Sequence, residues 1–96
     1  MMAVDTGRFI ESNPERWEGW PMIVGTGVTV ARIGIMRRQG YTPDQIAYEK
    51  TLTLAQVYAA LAHYEANREA IDAAVEAYDA ETRRIADEWA ATGRRQ

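Results

Sequence analysis

The apolar positions of the chain change their spacing near residue 30. Before that point, β-branched residues flank Gly25-Thr26-Gly27, which indicates either a tight hairpin or a strand that runs through a turn into a helix. Arg8-Phe9-Ile10 is a candidate short strand ahead of the turn signal Ser12-Asn13-Pro14. After residue 30, apolar residues recur every three or four positions, as they do in amphipathic helices. The pattern therefore predicts a short β element followed by helices.

The first two helices have recognisable ends. Helix one is predicted at about residues 30–39, because Gly40 can adopt the left-handed conformation that ends a helix. Helix two is predicted at about residues 43–49. Its N-cap is Thr42, which is followed by a proline at the first helical position and by a glutamine three residues after the cap, as in a capping box.

Thr53 caps a third helix, whose apolar stripe includes Val57 and Leu61. Helix two, the turn at Lys50-Thr51-Leu52 and helix three have the lengths of a helix-turn-helix. The chain is therefore predicted to be mainly α. It would consist of a short N-terminal β-hairpin or strand, a three-helix, homeodomain-like helix-turn-helix module and a long C-terminal helix.

The apolar stripe of helix three continues well beyond the length that a small module needs. Its members follow one another at spacings of three and four, as in the seam of a coiled coil. At Asn67 the sequence leaves two alternatives: one long helix runs through this residue unbroken, or Asn67 is the cap of a fourth helix. We expect residues 1–66 to form the strand and helix-turn-helix module, and residues 67–96 to form a helical extension that binds a partner. The members of the seam are Leu54, Val57, Leu61, Tyr64, Arg68, Ile71, Val75, Tyr78, Thr82, Ile85 and Trp89.

The composition restricts the chemistry that the chain can perform. The 96 residues include no Cys, one His and one Ser, which excludes thiol nucleophiles, zinc-finger spacing and most Ser-His-Asp arrangements. We therefore expect no enzyme activity, no catalytic residues, no metal site and no cofactor. A net charge of −3 is unlike that of a strongly basic nucleic-acid-binding protein. The absence of a leader pattern or a long apolar run leads us to expect a cytoplasmic protein with no membrane partner.

The helix-turn-helix pattern predicts either DNA recognition or a packing motif. Four residues of helix three are expected to face outward: Thr53, Gln56, Ala59 and His63. The Thr and Gln side chains of this set can contact base edges or phosphates. Arginines near the end of helix one can supply phosphate contacts. His63 is expected to be exposed, either with no role or as a DNA or partner contact. The candidate DNA-binding residues are Thr53, Gln56, His63, Arg37 and Arg38.

The C-terminal extension predicts protein–protein contacts. An apolar seam on so small a chain indicates a covering partner, and it also predicts a homodimer. Two arginines near the seam either pair with carboxylates of a partner or lie in solvent and stabilise the end of the helix dipole. The candidate partner-binding residues are Ile71, Val75, Tyr78, Ile85, Trp89, Arg83 and Arg84.

The segment from Gly19 to Val30 resembles a family of small prokaryotic proteins called domain of unknown function 433, whose members are often regarded as VapB-type antitoxins. The family pattern is Gly, a basic residue, Pro, any residue, Ile or Val, any residue, Gly-Thr-Arg, Ile or Val, any residue, and Val. The resemblance covers about residues 9–72, although Trp20 and Gly27 replace basic residues of the pattern. The matching residues are Gly19, Pro21, Ile23, Gly25, Thr26, Val28 and Val30.

The resemblance implies a function in a type II toxin–antitoxin pair. The protein would be a dimeric antitoxin whose C-terminal helix neutralises a toxin of the PIN-like ribonuclease type. Autoregulation through binding to operator DNA is a further hypothesis. The alternative is a stand-alone helix-turn-helix transcriptional regulator with a homodimeric C-terminal coiled coil.

Overall fold

The fold is mainly helical, with a small antiparallel sheet near the N-terminus and a long helix at the C-terminal end. A computed structural model describes residues 6–15 and 19–91. This arrangement confirms the predicted fold class, and the helix-turn-helix is formed by the helices at residues 43–50 and 54–66. The elements are α1 (Thr6–Phe9), β1 (Ile10–Glu11), β2 (Met22–Ile23), α2 (Val30–Arg38), α3 (Pro43–Lys50), α4 (Leu54–Ala66) and α5 (Arg68–Ala91).

The N-terminal strand is shorter and later than predicted. Arg8 and Phe9 lie in the single helical turn α1, so the strand predicted at residues 8–10 is wrong except for Ile10. Ile10 pairs with Ile23 across the two-stranded sheet. Because α1 packs against α4, a contact between distant parts of the chain favours its helical turn, and no local sequence pattern reports such a contact.

The glycine segment after β2 combines both predicted features. Gly25 has a φ of +78°, which a residue without a Cβ adopts at little cost, and the chain reverses there. Met22 and Thr29 then form an isolated antiparallel bridge across the turn. The Val30 backbone N–H donates to the Pro21 carbonyl at 2.9 Å. The segment is therefore a tight turn whose return arm leads directly into α2.

A threonine side chain caps the N-terminus of each of the helices α2, α3 and α4. The Thr29 hydroxyl accepts a hydrogen bond from the Arg32 N–H at 3.1 Å, and Thr42 forms the predicted capping box with Gln45. Helices α2 and α3 end at Arg38 and Lys50, each one residue away from the predicted end. Each cap satisfies backbone N–H groups that the first turn of a helix leaves without partners.

The hydrophobic core lies among α2, α3 and α4, with contributions from β2 and from the start of α5. Ile71 of α5 is 7% exposed and belongs to this core, so the packed part of the chain extends beyond residue 66, where the first unit was predicted to end. Residues 92–96 of the predicted extension lie outside the described residues. The buried cluster consists of Ile23, Val30, Ala31, Ile33, Met36, Ile46, Val57, Ala60, Tyr64 and Ile71.

Asn67 separates α4 from α5. Its backbone angles, φ −128° and ψ 30°, are not helical, and its side-chain amide donates to the His63 carbonyl at 2.9 Å. Its own carbonyl accepts from the Ile71 N–H at 3.0 Å, which is the first hydrogen bond of the next helix. The seam therefore continues on two helices, and Asn67 acts as the cap of a separate helix.

None of the helices within the described ranges combines the length and the apolar character that crossing a lipid bilayer requires.

Candidate functional site

The distal segment of α5, which we define as residues 76–91, lies beyond the last part of the helix that is buried in the core. All sixteen of these residues are exposed, and the molecule measures 56 Å along its longest axis against 27 and 24 Å along the others. Three large apolar side chains remain in this segment: Tyr78 is 60% exposed, Ile85 is 50% exposed and Trp89 is 61% exposed. The distal segment is therefore the part of α5 that offers an apolar surface to another molecule.

The predicted partner-binding seam divides into a packed part and an exposed part. Ile71 is buried in the core and Val75 is half-buried against it, so both predicted partner contacts pack within the chain, and their role in binding a partner stays a prediction. The Tyr78 ring packs edge-on against Trp20, with 5.7 Å between ring centroids and 71° between ring planes. Ile85 and Trp89 are the predicted contacts that lie farthest from the module.

Arg84 makes ion pairs within α5. Its guanidinium pairs with Glu81 on one side and with Glu88 at 2.7 Å on the other. The hydrogen bond between Glu81 and Arg84, and then their opposite charges, lower the pKa of Glu81 and raise the pKa of Arg84. At about 100° of rotation per residue, Arg84 lies roughly 140° around the helix from Trp89. The arginine is thus directed away from the apolar surface that it was predicted to accompany. Arg83 is exposed on the opposite flank.

Asp72 connects three helices. Its carboxylate accepts a hydrogen bond from the Tyr64 hydroxyl at 2.7 Å, and it forms ion pairs with Arg38 at 3.6 Å and with Arg68 at 3.9 Å. Burial raises the pKa of Tyr64, and the hydrogen bond to Asp72 raises it further. Arg38, a predicted phosphate contact, therefore already has an internal partner. In the sequence, the signal for this network was the spacing of four between Arg68 and Asp72, which places the two side chains next to each other on a helix.

The predicted DNA contacts at the start of α4 hydrogen-bond to each other. The Thr53 hydroxyl accepts from the Gln56 N–H at 3.1 Å, and the Gln56 side-chain oxygen accepts from the Thr53 N–H at 2.8 Å. This second capping box uses polar atoms that were predicted to contact bases. Ala59 is fully buried, so its predicted outward orientation is wrong. The Arg37 guanidinium donates to the Tyr41 carbonyl at 3.2 Å and remains exposed.

His63 lies far from Thr53 along α4. Ten residues separate it from Thr53, which corresponds to roughly 15 Å along α4. It is half-buried rather than exposed, because it lines a cleft of about 270 Å³ between the Gly19–Pro21 loop, α2, α4 and α5. Burial lowers the pKa of the imidazole. The remaining lining is largely apolar and consists of Gly19, Trp20, Pro21, Ala31, Asn67, Ala70, Ile71 and Ala74.

Within residues 6–15 and 19–91, no three His, Asp or Glu side chains lie close enough together to hold a metal ion. The chemistry that these residues do provide is a polar network between helices, an aromatic contact and an exposed apolar helix face.

The fold and the site define a helix-turn-helix protein with an exposed amphipathic helix. A family model described as "Protein of unknown function (DUF433)" matches residues 10–64, and the chain belongs to this family. The matched region extends from β1 almost to the end of α4, and it ends before α5 begins. Comparisons with curated proteins and with solved structures found no match.

Proposed function

We propose that this protein is an antitoxin that acts as a binding protein without enzyme activity and holds a partner protein through the distal segment of α5. The observation that carries this proposal is a helix of which sixteen consecutive residues are exposed while three of them are large and apolar. Short helices are marginal in water, and amphipathic helices are stabilised by covering their apolar face. A partner that covers Ile85 and Trp89 would provide this stabilisation.

The partner that the family resemblance implies is a PIN-like ribonuclease toxin. We propose that α5 lays its apolar face into a groove of the toxin and covers the approach to its active site, which is a common way for an amphipathic helix to bind. The internal ion pairs of Arg84 favour a mechanism in which apolar contact supplies most of the affinity. Tryptophan is among the residues most often found as interface anchors.

We further propose that the N-terminal module forms the homodimer. Leu54 and Tyr58 lie one turn apart on α4 and are 42% and 50% exposed. Such a pair on one helix face is a suitable contact for the same face of a second copy, because a two-fold axis brings identical surfaces together. Dimerisation through the module leaves both α5 helices available to partner proteins.

The test is co-expression of the full chain with the product of the adjacent reading frame, followed by co-purification and calorimetric titration. Trp89→Ala should weaken the complex by about 2 kcal/mol, which corresponds to roughly a thirtyfold higher Kd. Asp87→Ala is the matched control, because Asp87 lies on the same helix about 160° from Trp89. If Trp89→Ala and Asp87→Ala bind the partner as well as the unchanged protein does, α5 is not the binding element.

The second candidate function is a stand-alone transcriptional regulator, which the adjacent helices α3 and α4 favour. A regulator would shift its own upstream DNA without any partner protein and would lose self-association when the α5 seam is mutated. An antitoxin would retain its oligomeric state after Trp89→Ala and would lose only its binding to the partner protein.

A further inference from the structure

We infer that the partner surface for α5 is an apolar groove bordered by basic side chains, and that it is not the α5 helix of a second copy. This inference rests on the proposed role of α5 as the partner-binding helix. It concerns the chemistry of the partner, which the exposed apolar face alone does not specify. The additional information lies in the charged residues beside that face.

Carboxylates border the apolar strip of α5 on both sides. With Trp89 taken as the centre of the strip, helical geometry places Asp79 about 80° from it on one side, and Glu81 and Glu88 about 80–100° from it on the other. The arginines lie behind these carboxylates, because Arg83 is about 120° and Arg84 about 140° from the centre. The helix as a whole carries seven carboxylates and three arginines. A molecule that approaches the strip therefore meets negative charge first.

The internal ion pairs leave some of this charge uncompensated. Arg84 alone pairs with both Glu81 and Glu88, so two carboxylates share one guanidinium. Asp79 has no ion pair with any residue in the described part of the chain, and it is exposed. Charged residues beside a helical seam determine which partner is accepted and in which orientation. Lys or Arg side chains beside the partner's groove would pair with the carboxylates on both sides of the apolar strip.

A second copy of α5 does not supply those cations. In an antiparallel pair, Asp79 would face its own symmetry mate, and Glu81 would do the same on the other flank, so like charges would meet. In a parallel pair, Glu81 would face Ala86 and Asp79 would face Ala74, which provides no attraction. The exposed segment also spans only about two heptads, which is short for a stable coiled coil. The pattern therefore disfavours self-pairing and favours a basic partner.

The experiment uses the full-length protein and two synthetic helical peptides of about three heptads each. Both peptides carry the same Leu and Ile strip, and they differ only in having Lys or Glu at the flanking positions. Binding is measured by fluorescence anisotropy at about 50 mM and about 300 mM salt. We expect the Lys-flanked peptide to bind about tenfold more tightly or better at low salt, and the difference to shrink at high salt.

Two matched charge reversals locate the effect on α5. Asp79→Lys should weaken the binding of the Lys-flanked peptide several-fold and strengthen the binding of the Glu-flanked peptide. Asp87→Lys makes the same change in net charge on the opposite face and should alter both affinities little. Equal effects of the two substitutions would show that only net charge matters, and they would overturn the inference.

The outcomes also separate this inference from the proposed function. If the adjacent gene product binds through Trp89 but the Glu-flanked peptide binds as well as the Lys-flanked one, the inference fails and the proposed function stands. If neither peptide binds and the gene product binds equally well to Trp89→Ala, both fail. Self-association of the full chain that disappears in Trp89→Ala would identify a second copy as the occupant and overturn the inference.

Discussion

Gly34 of α2 lies directly against the aromatic ring of Tyr64 of α4. A Cβ atom at Gly34 would lie 2.7 Å from two carbons of that ring, which is closer than van der Waals contact permits. Tyr64 is 2% exposed, and its hydroxyl reaches across to Asp72 of α5. One side chain thus packs on α2 and hydrogen-bonds to α5, which joins the helix-turn-helix module to the start of the C-terminal helix.

The close packing at Gly34 predicts that Gly34→Ala destabilises the protein. The added methyl group must displace a buried ring, and overpacking of this kind typically costs about 1–3 kcal/mol. Gly27→Ala is the control, because a Cβ at Gly27 would meet nothing within 4 Å and the residue does not have a positive φ. Urea denaturation should show a lower free energy of unfolding for Gly34→Ala only. Equal stability of the two variants would contradict the packing at Tyr64.

The half-buried imidazole of His63 predicts a loss of stability in mild acid. Burial lowers the pKa of His63 below its ordinary value of 6.5, so the unfolded chain takes up the proton first as the pH falls. The stabilising contribution is therefore present above the unfolded pKa and is lost as the pH falls through the folded pKa. His63→Gln should remove this component, so its unfolding free energy should decrease less than that of the unchanged protein between about pH 7.5 and pH 5. Parallel curves would contradict the prediction.

Gln56 provides a test of whether the helix-turn-helix reads DNA. Gln56→Ala removes both the predicted base contact and one half of the α4 capping box. Gln45→Ala removes the equivalent half of the α3 capping box, so it controls for the loss of helix stability. If α4 reads bases, Gln56→Ala should weaken binding to the protein's own upstream DNA by about 1–3 kcal/mol and Gln45→Ala much less. Equal weakening in electrophoretic shifts would assign Gln56 a capping role alone.

The position of Ile71 predicts how shortened chains behave. A chain that ends at residue 66 lacks Ile71 and Asp72, whereas one that ends at residue 79 retains both and also the contact between Tyr78 and Trp20. Removal of a buried large aliphatic side chain typically costs about 2–5 kcal/mol. Thermal and urea denaturation should therefore find residues 1–66 less stable than residues 1–79 by at least about 2 kcal/mol. Equal stability would support the boundary predicted from the sequence.

Local chemistry made much of the fold predictable from the sequence alone. The starts of α3 and α4 depend on a threonine hydroxyl and on residues within three positions of it, so Thr42 and Thr53 were recognisable as caps without knowledge of the rest of the structure. The same is true of the positive φ at Gly40 after α2. The segment from Gly19 to Val30 was sufficient to indicate the family that the chain belongs to.

Tertiary contacts decided which helix faces are covered. For this reason, some of the predicted site residues are buried and others are exposed. Helical periodicity shows that Ile71 and Ile85 share a face, but it does not show that the module ends between them, so one is buried and the other is exposed. Periodicity likewise cannot reveal that Ala59 meets a neighbouring element and is buried. The sequence by itself determined where the helices begin, because capping acts over a few residues. Only the tertiary structure decided which of their side chains remain for a partner, because burial depends on elements far away along the chain.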